Sequence, residues 1–186
     1  MDEDIKKIIS QRRYVQLTGS INENTSDQFI SNLLKLEMSD PMKDILVIIN
    51  SYGGLIHSAW AMIDTMNLVN CNIHTLVIGK AISAASLILM NGTKGKRYST
   101  KHSSIMMHKL QGETSGNIDH MFTDINETRR MQKEIESYII EKTNIIQEDL
   151  DKMIINDCYL TPTKAQELGI IDRIIDKFSD IKLESQ

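Results

Sequence analysis

Hydrophobic residues in this chain fall into short, nearly continuous runs separated by mixed segments. The runs at 44–49 and 73–78 are rich in β-branched residues, which is typical of strands buried on both faces of a parallel sheet. Shorter apolar runs predict further strands at 14–17, 104–107 and 170–175. The hydrophobic pattern therefore predicts a sheet with a buried centre.

Between the runs, apolar residues repeat at helical spacing. A helix capped by Thr25 or Ser26 would place Phe29, Leu33 and Leu36 on one face. Further helices are predicted at 56–69, at 83–90, and after Thr161, with a proline in its first turn and its end at Gly169.

The alternation of strands and helices indicates an α/β fold with a parallel sheet covered by helices. With 186 residues the chain has the length of one domain. It has two prolines and no Gly/Ser-rich linker, so residues 1–186 are predicted to form a single domain.

A predicted helix from Asn117 to Lys142 differs from the others in its length. Its apolar residues repeat at helical spacing and are Ile118, Phe122, Ile125, Ile135 and Ile139. At about 1.5 Å per residue it would be about 38 Å long, more than the roughly 30 Å of a small domain. We therefore expect it to protrude and to cover its apolar stripe with another copy of the chain.

Composition and charge exclude several classes of function. The net charge is −4 without a basic patch, which argues against nucleic-acid binding. Two cysteines, Cys71 and Cys158, fit a reducing compartment, and no metal-ligand spacing is present. The acidic N-terminus has no apolar signal region, and no apolar run reaches the ~20 residues of a membrane span. We therefore predict a cytoplasmic protein with no membrane partner.

Two segments that follow the predicted buried strands could carry chemistry. Ser83 lies at the start of a buried helix, where the helix dipole and free N–H groups favour negative charge. It could instead simply cap that helix. The Gly53-Gly54 pair could supply backbone N–H donors to an oxyanion, or could form a plain tight turn.

His108 and Asp157 are the candidate partners of such a serine. His108 follows the apolar run 104–107 and should emerge at a strand end, where ligand sites gather. A structural role is the alternative. Asp157 lies between apolar residues, so it is expected to be partly buried and to need a partner, either a histidine N–H or a helix N-terminus. Together, Ser83, His108 and Asp157 make up the nucleophile, base and orienting group of acyl transfer by serine.

Several segments occur in one order and at fixed intervals along nearly the whole chain. They are 49–54, 63–66, 79–86, 93–97, 106–108 and 157–172. In this they resemble the proteolytic subunit of the caseinolytic (Clp) protease. The intervals of 25 residues from Ser83 to His108 and 49 from His108 to Asp157 look like the family's own.

The resemblance implies a crotonase-like fold of repeated ββα and βα units, with a protruding handle over about residues 109–142. It assigns the catalytic residues to Ser83, His108 and Asp157, and the oxyanion-hole donors to the backbone N–H groups of Gly54 and Ala84. It also implies rings of seven subunits that stack face to face, and a peptidase subunit that needs no cofactor.

The implied function is that of a serine endopeptidase in a self-compartmentalising, ATP-dependent protease. A partner AAA+ ATPase would unfold polypeptide substrates and feed them to the chamber. One alternative is a regulatory subunit that modulates a peptidase paralogue in a mixed ring. Another is an acyl-CoA enzyme of the wider crotonase-like superfamily.

The chain departs from the family pattern around the predicted site. Tyr52 replaces the proline of the Gly-Gly turn, and Ala84-Ala85 replaces Met-Gly after the nucleophile. Most of the N-terminal gate segment is expected to be missing. The remaining departures are Lys109-Leu110 after the histidine, Ile155-Asn156 and Cys158 in place of ring-linking charges, and Leu46 and Ile48 in place of aromatic ATPase-docking residues, while Tyr98 keeps its aromatic ring.

Overall fold

Seven β-strands form one sheet in the computed structural model of the chain, which describes residues 13–183. The expectations about a signal region and a gate segment concern residues that lie outside this range. The strands are β1 (Tyr14–Ile21), β2 (Ile45–Gly54), β3 (Ile73–Ile82), β4 (Arg97–Thr100), β5 (Ser104–Met107), β6 (Cys158–Leu160) and β7 (Arg173–Ile175).

Six α-helices accompany the sheet within the described range. They are α1 (Glu23–Ser39), α2 (Ile56–Leu68), α3 (Ala84–Met90), α4 (Ile118–Lys142), α5 (Gln147–Met153) and α6 (Pro162–Glu167). Helix α1 packs on β1 and α2, and α3 packs on β2 and β3. The predicted mixed α/β architecture is confirmed.

The sheet is parallel apart from one antiparallel pair. Its main path runs β1-β2-β3-β4-β7, and all of these neighbours are parallel. Strand β3 then forks. Thr75–Val77 pairs with β4, whereas Lys80–Ile82 pairs with β5, which pairs in turn with the antiparallel β6. The fork brings the C-terminal ends of β3 and β5 and the start of β6 next to one another.

Side chains of the central strands are buried on both faces of the sheet, as the apolar runs predicted. On β2, Ile45, Val47 and Ile49 belong to the main core. Leu46 points to the other face and joins a smaller cluster beneath the C-terminal segment, which includes Tyr98. Pleating sends alternate residues of one strand into these two clusters.

Several predicted boundaries were wrong. Strands β2 and β3 continue to Gly54 and Ile82. Gly53 and Gly79 adopt a positive φ, but the pairing with the neighbouring strand continues beyond each of them. The last strand is shorter than 170–175 and begins at Arg173. The short segments that form β4, β6 and α5 were not predicted at all.

The cap of α1 also differs from the prediction. Asn22 is the N-cap, and its side chain accepts a hydrogen bond from the Thr25 N–H at 3.0 Å. The Thr25 hydroxyl accepts in return from the Asn22 N–H at 2.9 Å. Thr25 therefore completes a capping box from inside the helix, while Ser26 is buried against the Ser58 carbonyl.

Helix α4 extends away from the core over its first half. Its buried residues are Ile135 and Ile139, in its second half. By contrast, Ile118 and Phe122 are 71% and 62% exposed. The predicted long helix is confirmed, and its exposed apolar residues lie in the half that leaves the core. No helix in the described range is long and apolar enough to cross a bilayer.

Candidate active site

Ser83 occupies the sharp turn between β3 and α3. Its φ is +54°, and it is the one non-glycine residue in the described range with a positive φ. Such a conformation costs on the order of 1–3 kcal/mol and persists only where the surroundings enforce it. Ser83 stands at the N-cap position, but its side chain makes no capping hydrogen bond. The side-chain-capping interpretation is therefore wrong, and the hydroxyl is directed elsewhere.

The fork in the sheet places His108 beside this serine. Ile82 pairs with Met106 across the parallel β3–β5 ladder, and the Ser83 N–H donates to the Met106 carbonyl at 2.8 Å. His108 lies just beyond the end of β5, level with the turn. Its Nε2 is 2.8 Å from the Ser83 Oγ, which is a hydrogen bond between candidate nucleophile and candidate base.

Asp157 directly precedes β6, the antiparallel neighbour of β5. Met107 pairs with Cys158, so the residue before β6 lies next to the residue after β5. The Asp157 Oδ1 is 4.0 Å from the His108 Nδ1. This distance allows electrostatic attraction but is too long for a hydrogen bond.

The expectation that Asp157 is partly buried was wrong. Its side chain is 53% exposed, compared with 17% for His108. The reason is topological: β6 pairs only with β5 within the described sheet, so the turn that precedes it is covered on one side alone. Apolar residues occur on both sides of Asp157 in the sequence, but Ile155 among them is itself 67% exposed, and the residue directly before Asp157 is the polar Asn156.

The Gly53-Gly54 pair forms the end of β2 rather than a separate tight turn. Gly53 has a φ of +83°, and a Cβ there would lie 2.5 Å from the Ile82 carbonyl oxygen and 2.9 Å from the Ala84 nitrogen. No side chain fits in this space. Glycine is therefore required for the end of β2 to pack directly against the Ser83 turn.

Ser51 fixes the approach of these glycines. Its buried hydroxyl accepts a hydrogen bond from the Gly53 N–H at 3.0 Å and donates to the Gly19 carbonyl at 2.6 Å. Sequence reasoning did not assign this role to Ser51. A serine two residues before a glycine at a strand end is the local pattern that could have indicated it.

A cavity of about 530 Å³ opens above the Ser83–His108 pair. It is lined by all five predicted site residues: Ser83, His108, Asp157, Gly54 and Ala84. Apolar side chains supply much of the remaining wall. They are Leu55, Ile56, Ile82, Leu87, Met106, Met107, Leu110, Ile135 and Ile139. Ile135 and Ile139 belong to the long helix, and their part in the site was not predicted because only the folded chain brings them there.

The remaining histidines lie outside this cavity. His74 is buried and bonded to Asp44, and His120 lies 3.4 Å from Asp124 on α4. His57 lines a separate groove, and His102 is exposed. Across residues 13–183, no three histidine, cysteine or acidic side chains are grouped so that they could hold a metal ion.

A family model described as Clp protease matches residues 1–178, which is nearly the whole chain. The match includes every segment that carries the geometry described above.

Proposed function

The chain belongs to the Clp protease family and is therefore a peptidase, and from this premise we propose that it is a serine endopeptidase with Ser83 as nucleophile. The observation that carries the proposal is the 2.8 Å contact between the Ser83 Oγ and the His108 Nε2 inside a cavity large enough for a peptide. A hydroxyl and an imidazole in this arrangement are the essential pair of serine acyl transfer.

In the proposed reaction, His108 Nε2 takes the proton of Ser83 as the oxygen attacks the scissile carbonyl carbon. The resulting tetrahedral oxyanion collapses to an acyl-enzyme, and the leaving amine receives the proton from His108. Water then attacks the ester carbonyl with His108 again as base. Ser83 recovers its proton, and the second peptide is released as a carboxylic acid.

The backbone around Ser83 suits this reaction. The Ala84 N–H belongs to the first turn of α3, where backbone donors have no partner within the helix. Gly54 lines the same cavity at the end of β2. We assign the oxyanion to these two N–H groups, because donors fixed by backbone geometry stabilise developing charge without rearrangement.

We assign a supporting role to Asp157. At 4.0 Å from Nδ1, its carboxylate favours the imidazolium that forms when His108 takes the proton. An opposite charge at this separation stabilises the protonated ring, although partial solvent exposure weakens the effect.

We also propose that the chain works as an assembled ring, as a heptamer or a double heptamer, fed with unfolded polypeptide by an AAA+ ATPase in the cytoplasm. The support is the exposed apolar half of α4, where Ile118, Phe122 and Ile125 are 71%, 62% and 37% exposed. Sedimentation velocity tests this assembly. A Phe122→Asp variant should sediment as a smaller species, and Thr123→Asp, a neighbouring exposed position on α4, is the matched control.

The central test is labelling by a fluorophosphonate, which reacts with activated serine hydroxyls. Wild-type protein should be labelled, whereas Ser83→Ala should not react at all. Ser137→Ala makes the same chemical change on α4, in a groove separate from the cavity, and should be labelled like wild type. Absence of labelling in an assembled wild-type ring would refute the proposal and favour the regulatory-subunit alternative.

A further inference from the structure

An exposed aromatic ring stands at the wall of the catalytic cavity beside a lysine. Tyr52 lines the cavity and is 66% exposed. The Lys80 Nζ lies 3.6 Å from the centre of its ring. A cation at this distance from an aromatic face is attracted to the ring, by roughly 0.5–1 kcal/mol at an exposed site. The contact fixes both the ring and the charge at the rim.

The two residues meet because of strand register. Ser51 on β2 is paired with Ala81 on the parallel strand β3, so Tyr52 and Lys80 are diagonal neighbours on one face of the sheet, close enough for a long side chain to reach an aromatic ring. Lys80 is three residues before Ser83 in sequence. The positive charge of Lys80 therefore lies near the end of β3, the strand that directly precedes the proposed nucleophile.

Within residues 13–183, no acidic side chain neutralises Lys80. No carboxylate of the described residues lies within 4.0 Å of its Nζ, and its partner there is the uncharged ring. Tyr52 lines the cavity, so the Lys80 ammonium 3.6 Å from its ring lies at the cavity wall, and the hydrogen bonding and positive charge of this ammonium lower the pKa of the Tyr52 phenol. A second lysine, Lys109, lines the cavity directly, and Asp157 is the one acid among the lining residues.

We infer that Tyr52 and Lys80 are specificity-determining residues that favour substrates with an acidic side chain close to the scissile bond. The inference rests on the proposed peptidase function. A substrate carboxylate at the cavity rim gains attraction from Lys80 and Lys109 against repulsion from Asp157 alone. A substrate lysine at the same position is repelled, although the chain as a whole is negatively charged.

The test uses three fluorogenic peptides that are identical apart from Asp, Asn or Lys at one residue flanking the cleaved bond, with both flanking positions examined in turn. For the assembled wild-type protein at low ionic strength, kcat/KM should fall from Asp to Asn to Lys, by roughly three- to tenfold at each step, the effect of one partly screened charge at short range. At 0.5 M salt the differences should shrink, because screening shortens the range of the interaction.

Variants then separate the effect of the Lys80 charge from the effect of side-chain packing. Lys80→Met keeps the length and the apolar stem of the side chain and should remove most of the Asp/Lys discrimination, while Lys80→Glu should reverse it. Tyr52→Phe keeps the aromatic face and should retain the preference, whereas Tyr52→Leu should weaken it. Lys94→Met removes an exposed lysine in a different groove and should match wild type.

The outcomes distinguish a failure of the specificity inference from a failure of the proposed peptidase function. If wild type cleaves the Asn peptide but shows less than twofold discrimination between Asp and Lys, the specificity inference is overturned and the peptidase function stands. If Lys80→Met keeps the wild-type preference for the Asp peptide over the Lys peptide, the specificity inference is likewise overturned while the peptidase function stands. If wild type neither cleaves the Asn peptide nor reacts with the fluorophosphonate, both proposals fail.

Discussion

Two histidine–aspartate pairs lie at opposite ends of β3, and they serve different purposes. Near the start of the strand, the His74 Nε2 is 2.7 Å from the Asp44 Oδ2, and these side chains are 1% and 0% exposed. Beyond the end of the strand, His108 and Asp157 are 4.0 Å apart and more open to solvent. The closer and better-formed pair is the one outside the cavity.

The buried pair is held by further partners. Burial raises the pKa of Asp44, but hydrogen bonds from Lys96, His74 and Asn72 outweigh it, and the net shift is downward. The Lys96 Nζ lies 2.8 Å from the same carboxylate oxygen. The ring of Tyr98 stacks on His74 at 5.9 Å between centroids. These contacts keep a charged carboxylate in the core, where it joins three strands.

The exposed pair differs in what the imidazole faces. His108 bonds a serine hydroxyl in a backbone conformation that only the surrounding packing enforces. Part of the site remains open to a substrate. The comparison teaches that a histidine–aspartate pair does not by itself indicate catalysis. Access to a cavity and an adjacent serine hydroxyl are what separate the two ends.

The contrast between the two pairs is tested by replacing one member of each pair in separate variants, and the largest effect is expected for His108. His108→Ala should lower kcat/KM for an uncharged peptide by roughly 10⁶-fold, because the serine loses its base. The measurement is steady-state hydrolysis by the assembled protein. His57→Ala removes an exposed histidine that lines a different groove and should keep wild-type activity. A loss below tenfold for His108→Ala would show that another group accepts the serine proton.

At the other end of β3, substitution should affect stability instead of chemistry. Asp44→Asn leaves Lys96 and His74 without their anionic partner and should lower the free energy of unfolding by about 3 kcal/mol, as is usual when one member of a buried ion pair is removed. Denaturant unfolding at pH 7 measures it. Labelling of Ser83 by the fluorophosphonate should persist while the protein is folded.

The pH dependence sharpens the same prediction. The folded-state pKa of Asp44 lies below its ordinary value of 3.8, so its stabilising contribution is complete above that value and is lost as the pH falls through the folded-state pKa. The difference in unfolding free energy between wild type and Asp44→Asn should therefore shrink below about pH 3.8. A difference that stays constant down to pH 2 would contradict the electrostatic explanation.

Asp157 gives the smallest expected effect of the three. Asp157→Asn should lower kcat/KM by about 10- to 100-fold, less than the roughly 10⁴-fold seen where an aspartate is buried against its histidine. The reason is the 4.0 Å separation and the exposed carboxylate. Unfolding free energy should change by less than about 0.5 kcal/mol, as for other exposed positions. A loss near 10⁴-fold would mean that the assembled enzyme draws Asp157 into a hydrogen bond.

Most of the fold could be predicted from the hydrophobic pattern. The central strands β2 and β3 have apolar residues on both faces, and helix α4 repeats its apolar residues over 25 positions, so their types follow from local physics. Segments such as β4 and β6 could not be found this way. They are only three or four residues long, too short to show a period, and they become strands because a neighbouring strand offers its hydrogen bonds.

The candidate site was predicted in part for the same reason. Ser83 was predicted at the start of a buried helix and His108 at a strand end, and the structure brings these side chains together. Ile135 and Ile139 were recognised as apolar, but not as walls of the cavity. The burial of Asp157 was misjudged, because apolar neighbours in sequence do not determine whether a turn is covered.

The sequence by itself determined the family, the class of fold and the residue types available for acyl transfer, because these depend on composition, spacing and local periodicity. The tertiary structure decided which histidine meets the serine, how far Asp157 stands from it, and that Lys80 lies over Tyr52. Each of these depends on the register between strands that are distant in sequence. A shift of one residue in that register would turn the side chains to the opposite face of the sheet.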